Sequence, residues 1–256
     1  YRRQRQMCIR DSLKPGDKFY KVIREKAVIM GIIGQEPLEA GLKIIGSHID
    51  APRLDLKPNP LYEKRDLALL KTHYYGGIKK YQWTAIPLAF HGVVILPNGE
   101  KIPVRVGEDP DDPVLTVTDL LPHLSKEQGE RKLAEGIKGE ELNVLVGSIP
   151  LQGEYEKRVK LAILKFLNDT YGMVEEDFTT AELEVVPAGF ARDVGLDRGL
   201  VGAYGQDDRV CVYTSYKAME QLQAPGKTAL ALFMDKEEIG SMGNTGCLLY
   251  TSDAAD

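Results

Sequence analysis

Apolar and polar positions alternate in short bursts along most of this chain, and two stretches change to helical spacing. Leu42-Lys-Ile-Ile-Gly-Ser47 and Thr228-Ala-Leu-Ala-Leu-Phe-Met234 are apolar runs of strand length, and each ends at acidic or imidazole side chains. Residues 53–59 read as extended and end in Pro58-Asn-Pro60, a break in composition. Residues 72–77, 88–96, 101–106, 114–118, 141–146 and 178–186 read as further short strands, with Pro97-Asn-Gly99 as a hairpin turn between two of them. Lys157 to Asn168 predicts a helix with Val159, Ala162, Ile163, Phe166 and Leu167 as its apolar stripe. A second helix is predicted from Val210 to about Leu222, with Cys211, Ser215, Ala218 and Leu222 on one face. Residues 108–113 read as a solvated acidic loop, and residues 125–139 as a surface helix or a mobile loop.

This order gives an α/β first domain, residues 13–55 and 189–246, interrupted by a strand-rich insert, residues 56–188. The two ends stand apart. Residues 1–12 are strongly basic without a usable period, and residues 247–256 break off without a helix cap. Both resemble translated adaptor read-through and are read as non-native, which leaves a natural piece truncated at one or both ends.

Composition narrows the classes. A length of 256 residues allows one large domain or two ordinary ones with a full core. The formal net charge of −5 speaks against a nucleic-acid or membrane-surface protein. No apolar run approaches the length of a membrane span, and the start lacks the apolar core of a signal peptide. Cys8, Cys211 and Cys247 form no disulfide framework or CxxC motif, so a reducing, cytoplasmic home is expected.

The chemistry gathers where strands end. After Met234 come Asp235-Lys-Glu237-Glu238, then a turn punctuated by Gly240, Gly243 and Gly246. Adjacent residues of a regular strand point to opposite faces, so the strand must break there for both carboxylates to serve one site. One could then hold a metal while the other handles a proton; the plain alternative is a solvated acidic turn. His48 and Asp50 share a face at the end of the earlier strand, where Asp50 can orient the imidazole as in a metal-bound histidine. Asp207 and Asp208 precede the second helix, and capping alone would also explain an acid there. These N/O donors suit zinc, and a carboxylate shared between two ions is the usual bridge in paired-metal hydrolases. A Gly-x-Ser-x-Gly elbow, a Walker motif and a dinucleotide glycine pattern are all missing from the sequence.

Gly46-Ser-His48-Ile-Asp50-Ala-Pro52, Gly205-Gln-Asp207-Asp208-Arg209 and Asp235-Lys-Glu237-Glu238-Ile-Gly-Ser241, in this order, resemble the aspartyl aminopeptidase (aminopeptidase I type) family of di-zinc exopeptidases. Tyr75-Gly-Gly77, Leu121-Pro-His-Leu124 and Leu142-Asn-Val-Leu-Val-Gly147 look like its bacterial branch. The resemblance implies a three-layer α/β/α catalytic domain, its C-terminal part missing here, with an inserted β-rich dimerisation domain, assembled into a dodecamer. It also implies that His48 binds one zinc, Asp50 orients it, Asp207 bridges two ions, Glu238 binds the second and Glu237 is the general base. His123 matches a histidine that reaches a neighbouring subunit's active site in that family. Two further ligands, an Asp and a His, and the residue that reads an acidic substrate lie beyond Glu238 in the family. The substrates implied are peptides with N-terminal Asp or Glu. Alternatives are a di-metal hydrolase of another amide, such as an N-acyl amino acid, and an inactive scaffold subunit. The chain as it stands is expected to be inactive.

Overall fold

The computed structural model describes residues 13–246; both terminal stretches read as non-native lie outside the described residues. The chain forms two compact units. The described part of unit 1 is residues 13–51 and 205–246, and unit 2 is Pro52–Tyr204. The sequence-based boundaries at 56 and 188 fall inside unit 2. The reason lies in the strand that opens it, which runs straight through the proline-rich break.

In chain order, β1 (Lys18–Ile23), β2 (Ala27–Ile32) and β3 (Lys43–His48) belong to unit 1. Unit 2 contributes β4 (Arg53–Lys64), β5 (Leu67–Tyr75), β6 (Leu88–Ile95), β7 (Lys101–Val106), β8 (Thr116–Val117) and β9 (Val144–Gly147). There follow α1 (Arg158–Tyr171), β10 (Glu182–Pro187), β11 (Arg192–Val194) and β12 (Leu200–Gly202). The chain then returns to unit 1 with α2 (Gln206–Gln221) and β13 (Ala229–Met234).

Unit 2 is built on a seven-stranded antiparallel sheet of order β7-β6-β10-β4-β5-β9-β8. Strand β4 is central, yet it carries Pro58 and Pro60. Its pairing with β5 is interrupted between Leu56 and Leu61, so the two residues without an N–H fall where no ladder bond is needed. Leu54, Leu88, Val94, Val144 and Val185 are fully buried, each worth about 1.5–3 kcal/mol relative to exposure. Val159 and Leu167 of α1 are buried and Ile163 half-buried, whereas Phe166, expected in the stripe, is 52% exposed. Leu164 also packs against the core and Ala162 is half-buried, so of the expected stripe Phe166 alone turns outward. Phe178 is buried in a 3-10 turn, Glu175–Thr180, so the last strand of the insert starts at Glu182 rather than at 178. Residues 125–139 hold two short helical turns, Lys126–Gly129 and Leu133–Gly136. The ends of the unit meet: the Tyr204 hydroxyl donates to the Pro52 carbonyl at 2.7 Å.

Unit 1 has a mixed sheet of order β1-β2-β13-β3, in which β13 and β3 are the parallel pair. Helix α2 packs on β3 and β13, and Met219 joins Ile32, Ala229, Ala231 and Phe233 in a small core. The helix turns Ser215 and Met219 inward with Val212 partly covered, while Cys211 and Ala218 are exposed. The buried face is therefore rotated from the one the spacing of Cys211, Ser215, Ala218 and Leu222 predicts. Among the described residues, no helix is long and apolar enough to cross a membrane.

Candidate metal and active site

The parallel pairing sets the site. In the β3–β13 register His48 stands opposite Met234, so both strands end at the same edge of the sheet. Ile49 N–H donates to the Met234 carbonyl at 2.9 Å, and the strands then part. After β13, Lys236 adopts a left-handed conformation (φ 69°) and a 3-10 turn, Glu237–Ile239, begins. This is the strand break that two useful adjacent carboxylates require.

Asp50 is the residue that organises this edge. It is 7% exposed. One carboxylate oxygen accepts the backbone N–H of Glu237 and the other that of Glu238, each at 3.2 Å. His48 Nδ1 lies 3.0 Å from the Asp50 carbonyl and 3.3 Å from its carboxylate. Both neighbours only accept, so Nδ1 carries the proton and Nε2 faces outward. The sequence anticipated the contact with the imidazole; the two amides of the carboxylate turn are an addition, since nothing in a sequence shows which loop an acid will cap.

From the other segment, Gly205 (φ 74°) turns the chain into α2, and Asp207 and Asp208 keep non-helical backbone angles. The helix proper therefore starts after them. The Asp208 carboxylate accepts the backbone N–H of His48 at 3.2 Å. Asp207, largely exposed, brings Oδ1 to 3.2 Å from His48 Nε2, and Glu237 Oε2 lies 3.7 Å from the same nitrogen. Capping was the plainer reading of Asp208, and its role in holding the end of β3 had no signal beyond its position beside Asp207.

The electrostatics follow from this crowding. Burial lowers the His48 pKa, but the Asp50 carbonyl and the charges of Asp50, Glu237 and Asp208 outweigh it and hold it above the usual value. Burial raises the Glu238 pKa, and Asp50, Asp207 and Glu237 add to the rise against the opposing effect of His48. An Nε2 lone pair facing carboxylate oxygens repels them unless a proton or a metal ion lies between. Two ligands at about 2.0–2.1 Å from a tetrahedral zinc stand about 3.3–3.4 Å apart, close to the His48–Asp207 separation. The donor types and this pair fit zinc. Among the described residues, however, no three His, Cys, Asp or Glu side chains close into a set able to hold an ion.

Five of the six expected site residues, His48, Asp50, Asp207, Glu237 and Glu238, thus gather in unit 1. His123 belongs to unit 2, exposed on the turn Pro122–Leu124. Its loop is fastened by Asp119, which accepts from Leu120 N–H, Gln128 Nε2 and the Thr84 hydroxyl.

The sequence matches the family described as aminopeptidase I zinc metalloprotease (M18) over residues 5–249. A probable M18 family aminopeptidase 1 of Clostridium acetobutylicum is 57% identical over 237 residues, 92% of this chain and 51% of the relative. The crystal structure of aminopeptidase I from the same organism superposes with a TM-score of 0.88 at 53% identity, covering 95% of this chain and 54% of that one. An M18 aminopeptidase structure from Thermotoga maritima gives 0.87 at 51% identity, covering 92% and 52%. The chain spans about half the length of the relatives it matches. The three strand-end motifs, the α/β fold and these matches agree: the chain belongs to the aminopeptidase I zinc metalloprotease (M18) family.

Proposed function

We propose that this chain carries one part of the active site of a zinc aminopeptidase that removes an N-terminal residue, preferably Asp or Glu, from peptides. The observation that carries the reading is the facing pair His48 Nε2 and Asp207 Oδ1 at 3.2 Å, with Nδ1 already committed to Asp50. A proton or a cation must lie between such a pair, and zinc suits these donors.

In this reading His48 and Asp207 would hold one zinc, and Asp207 and Glu238 would hold a second. Zinc held there supplies Lewis acidity to water and to the scissile carbonyl. Glu237 takes the proton of the attacking water and delivers it to the leaving amine. Its backbone N–H is fixed by Asp50, so the base is carried on a tethered turn rather than a free loop. Asp50 also sets the imidazole so that Nε2 presents its lone pair. The preference for an acidic N-terminal residue rests on the family resemblance. So do a cytoplasmic location, a dimer-based dodecamer joined through the β-rich unit, and a role for His123 at a neighbouring subunit's site.

Each ion would have two protein ligands from this chain, where catalytic zinc normally has three. The 256-residue chain is therefore expected to bind zinc weakly and to leave peptides uncut. The test compares this chain with a protein of the relatives' length, measuring bound zinc and cleavage of an aspartyl anilide, a leucyl anilide and an N-acyl amino acid. Zinc-dependent cleavage of the aspartyl anilide by the longer protein alone supports the reading. Preference for the N-acyl amino acid would make it another amidohydrolase, and zinc binding without turnover would make it a scaffold. Activity of a His123→Ala protein restored by mixing with a Glu237→Gln protein would place His123 across a subunit boundary.

A further inference from the structure

The turn that carries Glu237 and Glu238 is strained, and Asp50 holds only its first half. Lys236 (φ 69°) and Ser241 (φ 58°) are both non-glycine residues in the left-handed region. Each such residue costs about 1–3 kcal/mol and persists only where its surroundings over-determine it. Within the turn, Ser241 N–H donates to the Lys236 carbonyl at 2.7 Å and Gly240 N–H to that of Glu237 at 2.9 Å. These bonds close the turn on itself but do not fix it to the sheet.

The neck of the loop supplies that second anchor. Asp235 follows the last residue of β13 and is 5% exposed; Thr245, in the turn where the loop comes back, is 2% exposed. The Thr245 hydroxyl donates to Asp235 Oδ2 at 2.6 Å. A buried carboxylate is tolerated only with such partners, and a hydroxyl bonded to a charge is about twice as strong a tie as a neutral pair. The residues between them include both site carboxylates.

We propose that Asp235 and Thr245 are positioning residues, a buried clip that closes the loop bearing Glu237 and Glu238 and sets where those carboxylates stand relative to His48. Its catalytic consequence rests on the aminopeptidase reading above; its geometric content does not.

The test uses amide hydrogen exchange on the whole 256-residue chain. Thr245→Val keeps the volume and removes the hydroxyl. Exchange at Glu237, Glu238 and Ser241 should quicken by roughly tenfold or more, while Leu230 and Leu232 in β13 stay protected. Thr245→Ser should restore the native rates. Asp235→Asn, which keeps the shape and loses the charge, should quicken the same amides by a smaller factor and serves if the valine variant does not fold. Unchanged exchange at the turn in Thr245→Val or, in its place, Asp235→Asn overturns the clip. In a protein of the relatives' length, Thr245→Val should lower kcat with KM little changed and weaken zinc binding, and Thr245→Ser should recover both. A loosened turn with native kcat and native zinc affinity would make the clip merely structural and overturn the positioning role. A longer wild-type protein without peptidase activity would sink the aminopeptidase reading, while the exchange result still decides the clip.

Discussion

Unit 2 and unit 1 are held together in different ways. Among the described residues of this chain, which spans about half the length of its relatives, unit 2 buries nineteen apolar residues in one cluster behind a seven-stranded sheet, whereas the cluster of unit 1 has five. Its edge strand β3 exposes Ile44 (58%) and Ile45 (42%). Both units carry polar ties between segments remote in sequence, as where Lys160 N–H donates to Glu63 and the Thr180 hydroxyl to the Ile95 carbonyl in unit 2, but in unit 1 the ties meet at the candidate site. Asp50 holds the amides of Glu237 and Glu238, Asp208 holds that of His48, and the Thr228 hydroxyl accepts from Gly34 N–H. Area gives stability without direction; hydrogen bonds to charged groups fix atoms in place. The candidate site lies in unit 1, at the sheet edge where these ties converge.

The sharpest way to test that contrast is through chemistry in unit 1. In a protein of the relatives' length, Glu237→Gln should lower kcat by roughly a hundred- to ten-thousand-fold with zinc content retained. Glu238→Gln should instead lower zinc content, measured by elemental analysis. Equal metal loss in both would end the division of labour between the two carboxylates.

Next in size is the core of unit 2. Leu54 is fully buried in its central strand, and Leu54→Ala should cost about 2–5 kcal/mol in denaturant unfolding of that unit. Exchange at Glu237 and Glu238 should stay native while unit 2 remains folded. Equal loss of protection in both units under those conditions would erase the distinction between them.

Asp50→Asn reverses the pattern. An amide side chain offers one acceptor oxygen where the carboxylate offers two, so one of the two turn amides loses its partner. The cost is about 1–3 kcal/mol, confined to the turn, and should appear as faster exchange at Glu237 or Glu238 with unit 2 unmoved. The smallest effect belongs to the exposed edge: Ile44→Thr should change the stability of unit 1 by no more than about 0.5 kcal/mol. A large loss there would mean that β3 is covered in solution.

The same contrast explains what could be read from the sequence. The site motifs were legible because strand-end chemistry shows as apolar runs that stop at acids and histidine, as at His48 and Glu237. The helices were legible from their period, but not which row faces inward, because Phe166 and Leu167 are equally apolar in a list. Two hairpins left no mark. The turns between β1 and β2 and between β4 and β5 place Arg24, Glu25, Arg65 and Asp66 at positive φ, where glycine or asparagine is the usual cue. The proline pair in β4 looked like a boundary because the bulge that accommodates it is a property of two strands together. The hold of Asp50 on the carboxylate turn depends on a register between β3 and β13 that no local pattern encodes.

That register has a kinetic side. β3 and β13 are parallel neighbours with all of unit 2 between them in sequence, a separation that makes their first encounter slow and entropically costly. The hydrogen bond from Tyr204 to the Pro52 carbonyl changes that cost. Once unit 2 has folded, its entrance and exit are pinned side by side, and the long excursion shrinks to a short effective loop. The strands that bring His48 to Glu237 are then joined across α2, as in a parallel strand–helix–strand crossover. A folded unit 2 would thus hold together the two chain segments that carry the halves of the candidate site.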